Sequence, residues 1–261
     1  AVVTVSGDEL NKRVATSPTT LLQGKLPGLQ VVQGSGEPGA ENVQLTIRGT
    51  GTFSGAGSNP LVIVDGLPGS LDVLNANDIE SISVLKDASS AAIYGSRGAN
   101  GVIVVKTKRG KAGSLAVQYS YNFGISNATK LPDVVTNSAT YMELSNEART
   151  NSSLAPLYTQ AQIDLYKNAT DRVKYPNHNW LNDIFRTAYT QNHYLNMSGG
   201  KDSTTYSVGI GITNQPGVMR GFDYSKYTLS LGLTSKLNKR ITFGSDIQIR
   251  YGKKLSPENG A

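Results

Sequence analysis

The sequence predicts a β-rich fold in two parts, an α+β domain over residues 1–112 and long antiparallel strands from residue 113 onward. Three observations carry this. Glycine is abundant, at 28 of 261 residues, and charged residues make up only 17%, a balance that suits tightly turned β-structure better than a soluble helical enzyme. Between Asp78 and Gly110 a strand, a small-residue turn, a glycine-punctuated loop and a second strand follow without interruption. Beyond Gly113 apolar and small polar residues alternate, the period of two that gives a strand one apolar and one polar face.

In chain order, residues 1–24 read as a lead-in strand and a short helix around a Thr-Ser-Pro break. Ser6 or Asp8 caps it, and Leu10, Val14, Leu21 and Leu22 supply apolar contacts. The segment Gly34 to Gly39 forms turns, Val43 to Ile47 alternates as a strand, and Gly49 to Asn59 is a glycine-rich loop before a buried strand at Leu61 to Val64. None of these glycines makes a phosphate loop: no Gly-Lys-Ser/Thr follows them, and no GxGxxG joins a strand to a helix. Ile79, Ile82, Val84 and Leu85 mark the next strand, Ala88 to Tyr94 a helical turn, and Gly101 to Lys108 the strand that closes the unit. Gly95, Gly98 and Gly101 punctuate the loop between, where the backbone visits positive φ.

This stretch resembles the end of the plug domain of TonB-dependent outer-membrane transporters of the SusC/RagA-like branch. The resemblance rests on Asp78-Ile79-Glu80-Ser81-Ile82, Val84-Leu85-Lys86-Asp87-Ala88, Ala91 to Arg97 and Asn100-Gly101-Val102-Ile103. Leu26 to Val31, Ile47-Arg48-Gly49 and Pro60 to Gly66 match the same family upstream, in the expected order. It implies a plug over residues 1–112, followed by the first strands of a transmembrane barrel of about 22 strands. The glycine-rich loop then becomes a substrate-facing plug loop, with Phe53 at its tip and Thr52, Ser54 and Ser58 beside it.

The apolar alternation runs through Leu115, Val117, Tyr119, Tyr121, Phe123 and Ile125, and returns in Tyr206 to Ile212, Tyr227 to Leu233 and Ile241 to Tyr251. Leu195 and Met197 mark a weaker case. The opposite face carries Ser, Thr, Gly, Asn and Gln, with Asp246 and Arg250 the charged residues singled out in the four clear strands. Small neutral residues suit a wall packed against a plug, and the apolar face would then meet outer-membrane lipid. No apolar run approaches the roughly 20 residues of a membrane-spanning helix. Gly199 to Ser203 and Leu237 to Arg240 read as short turns, and Asn214 to Gly221 as a longer, outward-facing one.

Residues 128–188 form a long insert, read as the first extracellular loop, with helices near Ser138 to Arg149 and from Thr159, where Gln162 completes a capping box. Tyr141, Leu144 and Ala148 give the first helix an apolar side, as Ile163 and Tyr166 do the second. Tyr175, Trp180 and Asp183 are the candidate partner-facing residues.

No catalytic constellation stands out. His178 and His193 have no carboxylate at ligand spacing, Glu143 and Glu147 fit a solvated helix face, and HExxH and GxSxG are absent. Asp72, Asn75, Asn77 and Asp78 lack the order of a calcium loop and read as turn-forming residues. With no cysteine there is no thiolate metal site or disulfide, and the scattered basic residues behind a net charge of +6 do not make a nucleic-acid surface. The chain is therefore read as a non-enzyme without metal or cofactor.

Five strands cannot close a barrel, so the sequence is expected to be part of a longer one. The resemblance implies TonB-dependent import of an oligosaccharide or peptide across the bacterial outer membrane. It further implies a SusD-like surface lipoprotein and the TonB-ExbB-ExbD energy-transducing complex as partners. Two other readings stay open: a non-importing outer-membrane barrel serving as receptor or as part of a secretion or surface assembly, and a soluble β-rich carbohydrate-binding enzyme.

Overall fold

The computed structural model describes residues 2–11, 17–39, 43–47, 49 and 59–257. The chain folds as two compact units: one of Ala1–Ile125, Ala188–Gly217 and Gly221–Ala261, the other of Ser126–Thr187 and Val218–Arg220.

The first unit begins with β1 (Val2–Ser6) and α1 (Gly7–Leu10), which Ser6 caps by accepting from the Glu9 N–H. A second four-residue helix, α2 (Pro18–Leu21), stands where the sequence suggested one short helix around a break. The reason is local: Ser17 caps Thr19, and Pro18 takes the first helical turn, where its missing N–H costs nothing. Val14, expected to join the apolar contacts here, lies outside the described residues. Then come β2 (Leu29–Gln33) and β3 (Val43–Ile47), a separate antiparallel pair. β4 (Leu61–Val64) and β5 (Leu67–Pro68) follow, then β6 (Ile79–Leu85), α3 (Ala88–Ala91) and β7 (Val102–Thr107). The sheet order is β1-β6-β7-β4-β5, with β4 and β7 parallel and the other pairs antiparallel.

The turn between β4 and β5 is Asp65–Gly66, with φ of 48° and 92°. Two successive positive φ values make the turn whose twist matches a hairpin, which selects Asp-Gly. β4 is only half-buried, with Ile63 alone fully covered, because the two-residue β5 leaves it near the sheet edge. In β6 the apolar parity shifts from Ile79 to Ile82 and Val84, and all three are buried. A bulge between Ile79 and Ser81 produces the shift, one extra residue turning both halves of the strand toward the core. Gly95 and Gly101 take the expected positive φ; Gly98 does not, and is needed instead for close packing on Ala91. The domain's core joins Leu10, Leu21 and Leu22 to Leu71, Leu74, Ile79, Ile82, Ile103 and Val105.

Five long strands complete the first unit: β8 (Gly113–Ser126), β9 (Ala188–Lys201), β10 (Thr204–Pro216), β11 (Asp223–Lys236) and β12 (Thr242–Leu255). They form one sheet in sequence order, with β9 through β12 paired antiparallel in continuous register. β9, weakest in the sequence, is as long as β8. It runs through Gly199 and Gly200 to a two-residue turn at Asp202–Ser203, so those glycines are strand rather than turn. That register sets Leu195 against Ile210, and Ile210 against Leu229, so one apolar face continues across all three strands. The apolar face is open, as at Leu115, Ile249 and Tyr251, which expose 58%, 53% and 63% of their surface.

In the second unit α4 (Ser138–Asn151) is capped by Asn137, and α5 (Gln160–Asn168) carries the expected Thr159–Gln162 capping box. Its core is Ala139 and Met142 against Ile163, flanked by Tyr158 and Tyr166. Tyr141 and Leu144 are exposed, which corrects the packing face expected for α4. A small alanine and a flexible methionine, rather than the larger pair, let the two helices approach. Asn146 ties the intervening loop by accepting from the Leu157 and Tyr158 N–H groups and donating to the Tyr158 carbonyl. α6 (Trp180–Ile184) follows.

Candidate functional site

The αβ domain rests on the polar face of the long sheet, where small residues leave room for it. Gly209 and Gly211 of β10 lie opposite Ser230 and Thr228 of β11 and opposite Asn196 and Tyr194 of β9. They form a notch that receives two side chains. A Cβ on Gly209 would fall 2.5 Å from Asp78 Oδ1 and 2.4 Å from Ser230 Oγ. One on Gly211 would fall 2.3 Å from Asn75 Nδ2 and 2.5 Å from Thr228 Oγ1.

Asn75 and Asp78 bracket a 3-10 turn just before β6. Asn75 Oδ1 caps that turn by accepting from the Asn77 N–H, while its Nδ2 donates to Thr228 Oγ1 at 3.4 Å. Asp78 is buried and accepts from the Tyr194 hydroxyl, and the Ser230 hydroxyl also bonds it. Its own carbonyl accepts from the Lys108 N–H, tying the turn to the end of β7. Burial pushes the Asp78 carboxyl above the usual carboxylate range, and the Tyr194 and Ser230 bonds with the Lys108 charge offset part of that rise.

The contact continues at Arg109, whose guanidinium grips Asp246 of β12 through two bonds of 2.8 Å and lies 3.8 Å from Asp65. Asp65 in turn accepts from the Thr107 N–H and hydroxyl, so the β4–β5 turn, the end of β7 and β12 share one network. Lys254 pairs with Glu37 at 2.9 Å, and Arg250 donates to the Tyr224 hydroxyl at 3.0 Å.

The expected oxygen-rich cluster is thus dispersed: Asp72 accepts from the Ser17 and Thr19 hydroxyls, Asn75 caps its turn, and Asp78 reaches the sheet. Sequence reasoning passed over Asp78 and Tyr194 as a pair. The available signal was alternation, since Tyr194, Tyr224 and Lys226 sit on the polar face among small residues and all three are buried.

Of the residues expected to face a substrate, Thr52, Phe53, Ser54 and Ser58 lie outside the described residues. In the second unit Trp180 and Asp183 meet around His178, whose Nε2 pairs with Asp183 Oδ2 at 2.5 Å and whose ring stands edge-on to Trp180 at 5.0 Å. The helical turn of α6 supplies the carboxylate that linear spacing did not reveal. Tyr175 packs on Tyr166 instead, with Lys174 Nζ over its ring. A cavity of about 470 Å³ opens beside Trp180 and His178, lined also by Tyr141, Met142, Tyr158 and Tyr166. Ser138 borders it, but its hydroxyl donates to the Pro176 carbonyl and is not aimed at His178.

A family model, the TonB-dependent Receptor Plug Domain, matches residues 1–102. Along its whole length the chain is 32% identical to the TonB-dependent receptor SusC of Bacteroides thetaiotaomicron, of which it covers 25%. It is also 32% identical to the TonB-dependent receptor P26 of Formosa agariphila, again covering 25%. The chain therefore spans about a quarter of the length of the curated relatives it matches. The RagAB peptide importer in its closed-closed state matches 99% of this chain with 31% of its own, at a TM-score of 0.81 and 32% identity. The siderophore receptor PirA from Acinetobacter baumannii, at a TM-score of 0.60 and 18% identity over 97% of this chain and 32% of its own, shares the fold alone.

Proposed function

The chain is SusC/RagA-like, a TonB-dependent receptor plug domain running into the first strands of a β-barrel, and from that premise we propose that the whole protein imports a bulky nutrient, an oligosaccharide or a peptide, across the bacterial outer membrane. Residues 1–112 act as the plug, 113–261 begin the wall, and 128–188 form an extracellular loop. The observation that carries this reading is the two-faced sheet. One side is polar, small and docked to the αβ domain, while the other presents large, exposed apolar residues. Strands with that pattern are suited to a wall between lipid and a filled lumen.

The proposed cycle needs three outside parts. Cargo binds above the plug at the loop containing Thr52, Phe53, Ser54 and Ser58, a SusD-like lipoprotein closes the mouth, and the TonB-ExbB-ExbD complex pulls the plug from the periplasm. Trp180, with 69% of its surface exposed, is offered with Asp183 and Tyr175 as the loop's face toward lipoprotein or cargo. The RagAB peptide importer, whose structure this chain resembles, supports the peptide arm.

The test is uptake of labelled peptides and oligosaccharides by cells carrying the full-length protein, cells lacking it, and cells lacking TonB. Loss of uptake of one cargo class in both deletions is the expected result and identifies the cargo. Unchanged uptake of every class in cells lacking the protein would sink the import reading.

A further inference from the structure

Resting on the reading of residues 1–112 as a plug inside a barrel, we propose that Asn75 and Asp78, seated in the Gly209–Gly211 notch, are positioning residues that latch the plug to the wall and keep the seam closed. The contacts converge from three adjacent strands: Tyr194 of β9, the two glycines of β10, and Thr228 with Ser230 of β11. Asp78 is only 8% exposed, so withdrawing it from these donors without water to replace them leaves a buried acceptor unsatisfied. The notch admits it only because Gly209 has no side chain; any Cβ there occupies the space of the carboxylate oxygen.

The latch is rigidly coupled to the plug's centre. Asn75 and Asp78 are fixed by the 3-10 turn they bracket, and the turn leads directly into β6, which pairs with both β1 and β7. Beside the latch the seam holds a small polar cavity bordered by Asn196, Ser207 and Gln248. A wider polar cleft of about 510 Å³ follows, bordered by Glu80, Lys108 and Ser198. The two spaces share Lys108, Asn196 and Ser207, so in this proposal losing the latch joins them into one polar path for water and ions. The Arg109–Asp246 pair is about a third exposed on each side and holds less firmly.

The experiment uses the full-length protein in planar bilayers without cargo or TonB, with folding checked by heat-modifiable gel mobility. Asp78→Ala, which removes the acceptor of both the Tyr194 and Ser230 hydroxyls, and Gly209→Ala, whose Cβ displaces that acceptor, should each raise the open probability at least about tenfold, the factor for losing one such hydrogen bond. Asp78→Asn keeps an acceptor for the Tyr194 hydroxyl and should stay near wild type. If Asp78→Ala does not assemble, Tyr194→Phe, which removes a single hydroxyl, carries the same expectation of a tenfold rise. Wild-type conductance in folded Gly209→Ala and Tyr194→Phe overturns the latch, as does an Asp78→Asn protein that opens like Asp78→Ala. Because neither cargo nor TonB enters the measurement, failure here is separable from failure of the import reading.

Discussion

Asp78 is a carboxyl that the surrounding sheet takes out of water, and its protonation is therefore linked to docking. Its docked pKa lies above the ordinary 3.8, with burial as the main cause. A group shifted in this direction favours the docked state in its protonated form. Its contribution is complete below 3.8 and is lost as pH rises through the raised value. The ionisable groups around it are Tyr194 on β9, Lys108 after β7 and Asp246 on β12. In the full-length protein, the urea needed for plug release should fall as pH rises from 3.8 upward, and Asp78→Asn should flatten that fall. A wild-type midpoint that does not fall above pH 3.8, or an equal fall in Asp78→Asn, would remove Asp78 as the titrating group. Asp78 was legible only as a turn-forming residue, and neither Tyr194 nor the pairing was foreseen. Asp78 and Tyr194 are 116 positions apart, and no local rule joins a turn-forming aspartate to one tyrosine on a polar strand face. The Asp65-Gly66 turn carried a local hairpin signal that the reading of Leu61 to Val64 as a buried strand did not use.

At the scale of elements, local signals located α4 and α5 of the insert but not α6, while tertiary packing chose the buried faces. Capping chemistry marked the start of α5, since Thr159 and Gln162 satisfy each other's backbone groups wherever the helix sits. The buried face of α4 depended on α5, a partner whose placement the sequence of α4 does not contain. β6 shows the same division: its apolar residues were evident, but the bulge that reconciles Ile79 with Ile82 exists only in register with β7. The buried and exposed residues of the insert therefore predict opposite outcomes. Ile163→Ala removes a side chain that is 3% exposed and should cost about 2–5 kcal/mol, opening the insert to limited proteolysis. Trp180→Ala removes a larger side chain that is 69% exposed and should change stability by no more than about 0.5 kcal/mol. Proteolysis rates of the full-length variants compare the two directly. Equal sensitivity would mean that Trp180 belongs to the insert's core rather than to its surface.

At the scale of the whole molecule the long sheet is two-faced, and the alternation in the sequence marked which residues share each face. The large apolar side chains left exposed on these strands fall at odd positions in β8, β9, β11 and β12 and at even positions in β10. The register reconciles the two numberings, because Ile210 of β10 faces Leu195 and Leu229 across the ladder, and all of them share one face. Asp246, Arg250 and Lys226 lie on the other face, with the docked domain. A water-facing sheet and a barrel wall predict different responses to a charge on the apolar face. Ile249, near the middle of β12 and opposite Leu229, is 53% exposed, so in water an arginine there would be neutral and would improve solubility. In a bilayer the same side chain sits near the hydrocarbon midplane and should cost about 2–4 kcal/mol. Gln248, one residue away and opposite Ser230, faces the domain side, where Arg250 already resides, and Gln248→Arg should insert far better. The comparison is the folded fraction of full-length Ile249→Arg and Gln248→Arg in lipid vesicles, read by heat-modifiable mobility. A lower folded fraction for Ile249→Arg alone places the apolar face in lipid. Equal yields would remove the bilayer from that face, and with it the requirement that these strands close into a barrel.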